Sequence, residues 1–175
     1  MPLCGHCVVL RVPIGGTARS NGMMKTPTRV QSNFQKHPPV KGSPGNIRIV
    51  LADDREDLLQ EIRALLTPDF EIVNSVTNGL ALIDAVRDLK PDLVVSDIKM
   101  PGMSGIEACR RIIEEGLCSA AILLTMYNEA QLVREALGVG IRGYLLKVNA
   151  GEELIPAVRS VIGGSTYLSA GLRGA

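Results

Sequence analysis

From Ile47 onward, apolar residues recur along the chain in two alternating rhythms. Short aliphatic runs bounded by acids, Pro or Gly have the length of strands, and between them lie stretches in which apolar residues return every three or four positions, the spacing of one helical face. "IRIVLA" is the first run, and "REDLLQEIRALL" sets Leu58, Leu59, Ile62, Leu65 and Leu66 on one side of a helix. The alternation then continues: "FEIVNSV" strand, "GLALIDAVRDL" helix, "DLVVSD" strand, "GIEACRRIIEEG" helix, "AAILLT" strand, "NEAQLVREALGVG" helix, "RGYLL" strand, "GEELIPAVRSVIGG" helix. Pro156 falls in the first turns of the last helix, where a missing N–H is tolerated.

Strand followed by helix, five times in about 120 residues, predicts a parallel sheet with right-handed crossovers and helices on both faces. Ligands of such sheets sit beyond the carboxyl ends of the strands. The first strand ends in Asp53 and Asp54, the third in Asp97 and the fourth in Thr125, and Lys147 follows the fifth. The second ends near Asn74 and Ser75, with no comparable chemistry. Three carboxylates gathered at one edge repel each other and raise their own pKa values unless a cation sits among them. An all-oxygen set without His or Cys points to Mg²⁺ or Mn²⁺, and Mg²⁺ commonly shares its coordination with phosphate oxygens. Lys147 and Thr125 offer such a phosphoryl group a positive charge and a hydroxyl donor. Singly, each residue has a plainer reading: Asp53 or Asp54 as a helix cap before Arg55, Thr125 as a β-branched strand residue, Lys147 as a solvated loop lysine. Their convergence on one sheet edge favours the site.

Composition narrows the picture. The chain has 175 residues, 46% of them hydrophobic but only 3% aromatic, which suits a Val, Ile, Leu and Ala core around a buried parallel sheet. Of 19 basic and 18 acidic residues, residues 1–46 hold six basic (Arg11, Arg19, Lys25, Arg29, Lys36, Lys41) and no acid, leaving 13 against 18, net −5, for the remainder. The same segment holds six of the ten prolines and no sustained periodicity, so it is expected to be a disordered basic leader, with Met23 or Met24 as alternative starts. Cys4, Cys7, Cys109 and Cys118 form no regular disulfide framework, and "CVVLRV" is too short for a membrane span, so a soluble, cytoplasmic protein is expected. "CGHC" has the spacing of a redox dithiol, but "VVLRVPIGG" follows it where that chemistry needs a helix. "ADDRED" lacks the Gly-rich turn of a nucleotide-binding fold. His6 and His37 both lie in the leader, so a histidine phosphodonor must come from another molecule.

The acidic pair in "VLADDRE", the segment "SDIKMPGMSG", Thr125 in "LLTMYNE" and "GYLLK" with Tyr144 and Lys147 resemble, in order and spacing, the receiver domain of two-component response regulators. The match runs from about Ile47 to Gly164, and "LLTM", "GYLLKVNAGEEL" and "GGSTYLS" resemble the NarL/FixJ subfamily. The resemblance implies a five-stranded, doubly wound (βα)5 flavodoxin-like fold with strand order 2-1-3-4-5. It makes Asp97 the phosphoacceptor, Asp53 and Asp54 its metal-binding partners with the backbone carbonyl of Lys99, and Thr125 and Lys147 the donors to phosphoryl oxygens. Tyr144 is then the aromatic that, with Thr125, changes on activation. Lys99 stands where a haloacid-dehalogenase-type phosphatase wants a second Asp. Val148 replaces the proline that many receivers carry after the lysine, and Met126 replaces a smaller residue after the threonine, departures that bear on turnover and on access of small phosphodonors.

The expectation is therefore a protein switch rather than an enzyme, phosphorylated on Asp97 by a sensor histidine kinase or phosphotransfer protein with Mg²⁺. It is expected to signal, as a homodimer or to a partner, through the face of the fourth helix, fifth strand and fifth helix. Residues 1–46 are the leader, 47–164 the receiver, and 165–175, "STYLSAGLRGA", a linker remnant. No specific DNA binding and no membrane contact are expected. The alternative is a truncated fragment of a NarL/FixJ-type DNA-binding regulator lacking its helix-turn-helix.

Overall fold

The computed structural model describes residues 46–126 and 130–172. The leader up to residue 45, with Cys4, Cys7, His6 and His37, lies outside the described residues.

Strands β1 (Arg48–Ala52), β2 (Glu71–Val76), β3 (Leu93–Asp97), β4 (Ala121–Thr125), β5 (Gly143–Leu146) and β6 (Tyr167–Leu168) alternate with helices. The helices are α1 (Glu56–Leu66), α2 (Gly79–Leu89), α3 (Gly105–Glu114), α4 (Ala130–Gly138) and α5 (Ala150–Ile162). The sheet runs β2-β1-β3-β4-β5-β6, with every pairing parallel.

The aliphatic runs serve both faces of the sheet at once. Ile49 and Leu51 of β1 pack with Leu59, Ile62 and Leu66 of α1 and Leu154, Val158 and Val161 of α5. Val50 and Ala52 point the other way, into a layer with Leu82 and Val86 of α2, Ile106 and Ile112 of α3 and Val133 of α4. Because alternate residues of a strand face opposite sides, a sheet covered twice demands apolar residues at every position. Each fully buried aliphatic side chain contributes about 1.5–3 kcal/mol through loss of water contact. Local signals agree with this packing. The Asn78 side chain accepts from the Ala81 N–H at the start of α2, and Ser104 accepts from the Glu107 N–H at the start of α3.

The sheet departs from the expected five strands by one. After α5 the chain turns through Gly163 and Gly164, the latter at φ 85°, and Tyr167–Leu168 pairs with β5, the Tyr167 N–H donating to the Arg142 carbonyl at 2.8 Å. Ser169 and Leu172 are buried behind it. Two strand residues inside "GGSTYLSAG" carry no periodicity, and only the exposed edge of β5 supplies their partner.

Cys109 in α3 and Cys118 before β4 are buried free thiols. Burial pushes the Cys109 thiol up to about 12 and the Cys118 thiol up to about 11. Neither forms appreciable thiolate at neutral pH, so an alkylating reagent should label neither peptide in the folded protein and both after denaturation. Peptide mass spectrometry checks this, and rapid native labelling of either would contradict the packing described. No described helix is long and apolar enough to cross a membrane.

Candidate functional site

The strand order assembles the site. Ala52 of β1 is in register with Ser96 of β3, so the next residues, Asp53 and Asp97, leave the sheet side by side. Asp97 is in register with Leu124 of β4, and Thr125 with Leu146 of β5, which brings Thr125 and Lys147 to the same edge. Residues 94 positions apart in the chain thus meet in one polar cluster.

Its centre is the Lys147 ammonium, 2.7 Å from Asp53 Oδ2 and 2.9 Å from Asp97 Oδ1. Only 7% of the Lys147 side chain, 1% of Asp53 and 9% of Asp97 reach solvent, so these charges interact through a medium much less polarisable than water. The second oxygen of each carboxylate accepts a backbone N–H two residues on: Arg55 to Asp53 Oδ1 at 3.1 Å, Lys99 to Asp97 Oδ2 at 3.2 Å. Asp54 is exposed, yet ligand oxygens of Asp53, Asp54 and Asp97 lie within 4.8 Å of one another. Thr125 is buried at the end of β4, and Tyr144 is buried in the α2, α3, α4 layer. Asp53, Asp54, Asp97 and Lys147 therefore converge, and Thr125 ends β4 at the same sheet edge. The capping alternative does not describe them: α1 has Arg55 at its N-cap with no side-chain cap bond, and Asp53 shares itself between Arg55 and Lys147.

Burial is the largest influence on Asp97 and raises its pKa; the hydrogen bond and charge of Lys147 oppose it, and the nearby Asp53 adds to it. Three carboxylates against one ammonium leave the cluster two negative charges in excess when ionised. That excess, and a donor set of oxygen alone, fits a divalent hard cation.

Three features lay outside the sequence reading. Ser96 is fully buried and its hydroxyl donates to the Asp97 carbonyl at 2.8 Å, a contact hidden in sequence because the residue sits inside an otherwise aliphatic strand. Gly105, at the first turn of α3, packs so closely that a Cβ would stand 1.8 Å from the Asp97 carbonyl oxygen. Gly105→Ala should therefore push α3 off β3 and cost about 3 kcal/mol or more, at the upper end of overpacking effects, measured by denaturant unfolding. A change below about 1 kcal/mol would show that this approach is not fixed. The third feature is the Ser169–Glu153 pair behind β5, which the linker-like composition of residues 165–175 conceals. Met126 and Val148 flank the cluster as exposed apolar side chains, 56% and 75% accessible.

Comparison with known proteins agrees with this arrangement. Residues 49–159 match the response regulator receiver domain family. The chain is 38% identical over 120 residues to the transcriptional regulatory protein DesR of Bacillus subtilis, covering 67% of this chain and 59% of that protein. It is 33% identical over 126 residues to the nitrate/nitrite response regulator protein NarL of Escherichia coli, covering 71% and 58%. It thus spans less than two thirds of these relatives. Among solved structures, a LuxR-family two-component response regulator from Aurantimonas superposes with a TM-score of 0.69 at 26% identity, covering 74% of this chain and 94% of that one. The isolated receiver domain of RcsB from Salmonella enterica, determined with the phosphomimetic BeF3⁻, does so with 0.67 at 26% identity, covering 73% and 96%. With a matching family, NarL-type relatives and the acidic cluster at the strand ends in agreement, this chain belongs to the response regulator receiver domain family of two-component signalling.

Proposed function

We propose that Asp97 accepts a phosphoryl group from a histidine of a separate sensor kinase or phosphotransfer protein, with Mg²⁺, and that the chain acts as a switch rather than as an enzyme. The supporting observation is the approach of Asp53, Asp54 and Asp97 within 4.8 Å, with the Lys147 ammonium against two of them. In the transfer, an Asp97 carboxylate oxygen forms the new bond to phosphorus as the phosphorus–nitrogen bond of the donor breaks and the imidazole leaves. Asp53, Asp54, Asp97 and the Lys99 carbonyl would hold Mg²⁺, which supplies neutralisation of the phosphoryl charge. Lys147, already 2.9 Å from Asp97, can pair with a phosphoryl oxygen, and Thr125 can donate to another. Intact-mass spectrometry after incubation with acetyl phosphate and Mg²⁺ tests this: one phosphoryl group per chain is expected, and none with excess chelator. Unchanged mass in both would count against the reading.

Signalling is proposed to follow from rearrangement of Thr125 and Tyr144, changing what the α4, β5, α5 face presents to a partner or to a second copy. Because β6 pairs with the outer edge of β5, the sheet edge beside this face is β6 rather than β5. The relatives named above include transcriptional regulators, but the remainder after residue 46 carries net −5 and would be repelled by duplex DNA. The present chain should show no sequence-specific duplex binding. Any retention should fall steeply with salt and disappear when residues 1–44 are deleted. Titration against genomic fragments at physiological salt checks this, and selective capture of one fragment by the shortened chain would favour a DNA-binding role.

A further inference from the structure

Ser169 follows β6 and is fully buried. Its N–H donates to the Tyr144 carbonyl at 3.1 Å, and its hydroxyl accepts from the Leu146 N–H at 3.1 Å while donating to the Glu153 carboxylate in α5. The other Glu153 oxygen accepts the Ala170 N–H at 3.4 Å. Leu146 immediately precedes Lys147, so one buried hydroxyl joins the residue before the site lysine, the first turns of the helix after it and the last described strand. A hydroxyl bonded to a carboxylate is a strong, directional link. Removing it strands the Leu146 N–H and the carboxylate together. β5 is only four residues long, so this bond fixes where the Lys147 turn departs from the sheet.

We infer that Ser169 and Glu153 are positioning residues for Lys147, and that through them the docking of residues 167–172 is coupled to the state of Asp97. The second half rests on Asp97 being the phosphoacceptor. If phosphorylation moves Lys147 away from its resting bonds to Asp53 and Asp97, the turn pulls on Leu146 and Glu153 and loosens the hold on Ser169. By thermodynamic reciprocity, loosening that hold favours the phosphorylated state at equilibrium, whereas the rate of transfer, which reciprocity does not govern, falls when Lys147 is mispositioned.

Site-resolved amide hydrogen exchange on the full chain tests this, using wild type, Ser169→Ala and Glu153→Gln, alongside labelling by acetyl phosphate with Mg²⁺. Without phosphodonor, Ser169→Ala should raise exchange at Leu146 and Lys147 about ten-fold while β3 amides stay unchanged. Glu153→Gln, which keeps an acceptor for the hydroxyl, should raise it less than about three-fold. Ser169→Ala should slow labelling about five-fold, as expected when a catalytic cation is mispositioned, and labelled wild type should exchange faster at Ser169 and Ala170 than unlabelled. Unchanged exchange at Leu146 in Ser169→Ala, or an equal rise across all strands, would overturn the positioning role. Unchanged exchange at Ser169 and Ala170 on labelling would overturn the coupling. If wild type takes up no phosphoryl group, the phosphoacceptor reading and the coupling fall together, whereas the Leu146 result still decides the positioning role.

Discussion

Asp97→Asn should accept no phosphoryl group under conditions in which the wild type gains one, and should remain folded. The carboxylate lies at the meeting point of Lys147, Asp53 and the Lys99 N–H, and an amide oxygen in its place lacks the charge and nucleophilicity for attack on phosphorus. The fold should survive because burial and the Asp53 charge already raise the pKa of Asp97, so its ionisation opposes folding. The sign follows from linkage. In the metal-free protein, a carboxyl with a folded pKa above its unfolded value binds more protons when native. Its ionisation therefore costs stability progressively as pH rises from the ordinary carboxylate range through the raised pKa, with a plateau above. At pH 7 the Asn variant should thus be no less stable than wild type within about 1 kcal/mol. Intact-mass spectrometry and denaturant unfolding across pH provide the measurements. Equal phosphate uptake by Asp97→Asn would remove Asp97 from its proposed role, and loss of the fold would show that the carboxylate is needed structurally.

Lys147→Met should have the larger structural effect. Methionine fills much the same volume but leaves Asp53 and Asp97 buried side by side without their cation, and breaking a buried ion pair from one side costs about 3–5 kcal/mol. The loss should be greatest at neutral pH and shrink as pH falls and Asp97, whose pKa burial already raises, takes up its proton, and millimolar Mg²⁺ should recover part of it. Combining it with Asp97→Asn should also recover stability, because the remaining repulsion disappears. Labelling should be slowed strongly even where Mg²⁺ restores the fold, since the phosphoryl group has lost its ammonium partner. Thermal unfolding with and without Mg²⁺ separates the two roles. A variant as stable as wild type in chelator would mean that Lys147 does not neutralise the pair.

The five strand and helix pairs were legible because a sheet covered on both faces needs unbroken aliphatic runs such as "IVLA" and "LVVS", while each helix needs one apolar stripe. The polar cluster was legible because charged residues at the ends of such runs are few. Asp53, Asp54, Asp97 and Lys147 stand out against their neighbours, and a doubly wound sheet carries all strand ends to one edge.

What the sequence by itself determined is thus local: element type, the order of strand and helix, and which residues end the strands. Tertiary structure decided which of those residues touch and what else joins them. Nothing along the chain says that Lys147 bonds both Asp53 and Asp97 at rest, because that depends on β1, β3 and β5 sharing one sheet in a fixed register. Nor does it reveal β6, since two residues gain strand geometry only from the free edge of β5. Gly105, Ser96 and Ser169 likewise have ordinary sequence contexts, and their importance comes from distances under 4 Å to residues that folding brings beside them. Hydrophobic patterning is a property of neighbours along the chain, whereas close contact and charge pairing are properties of neighbours in space.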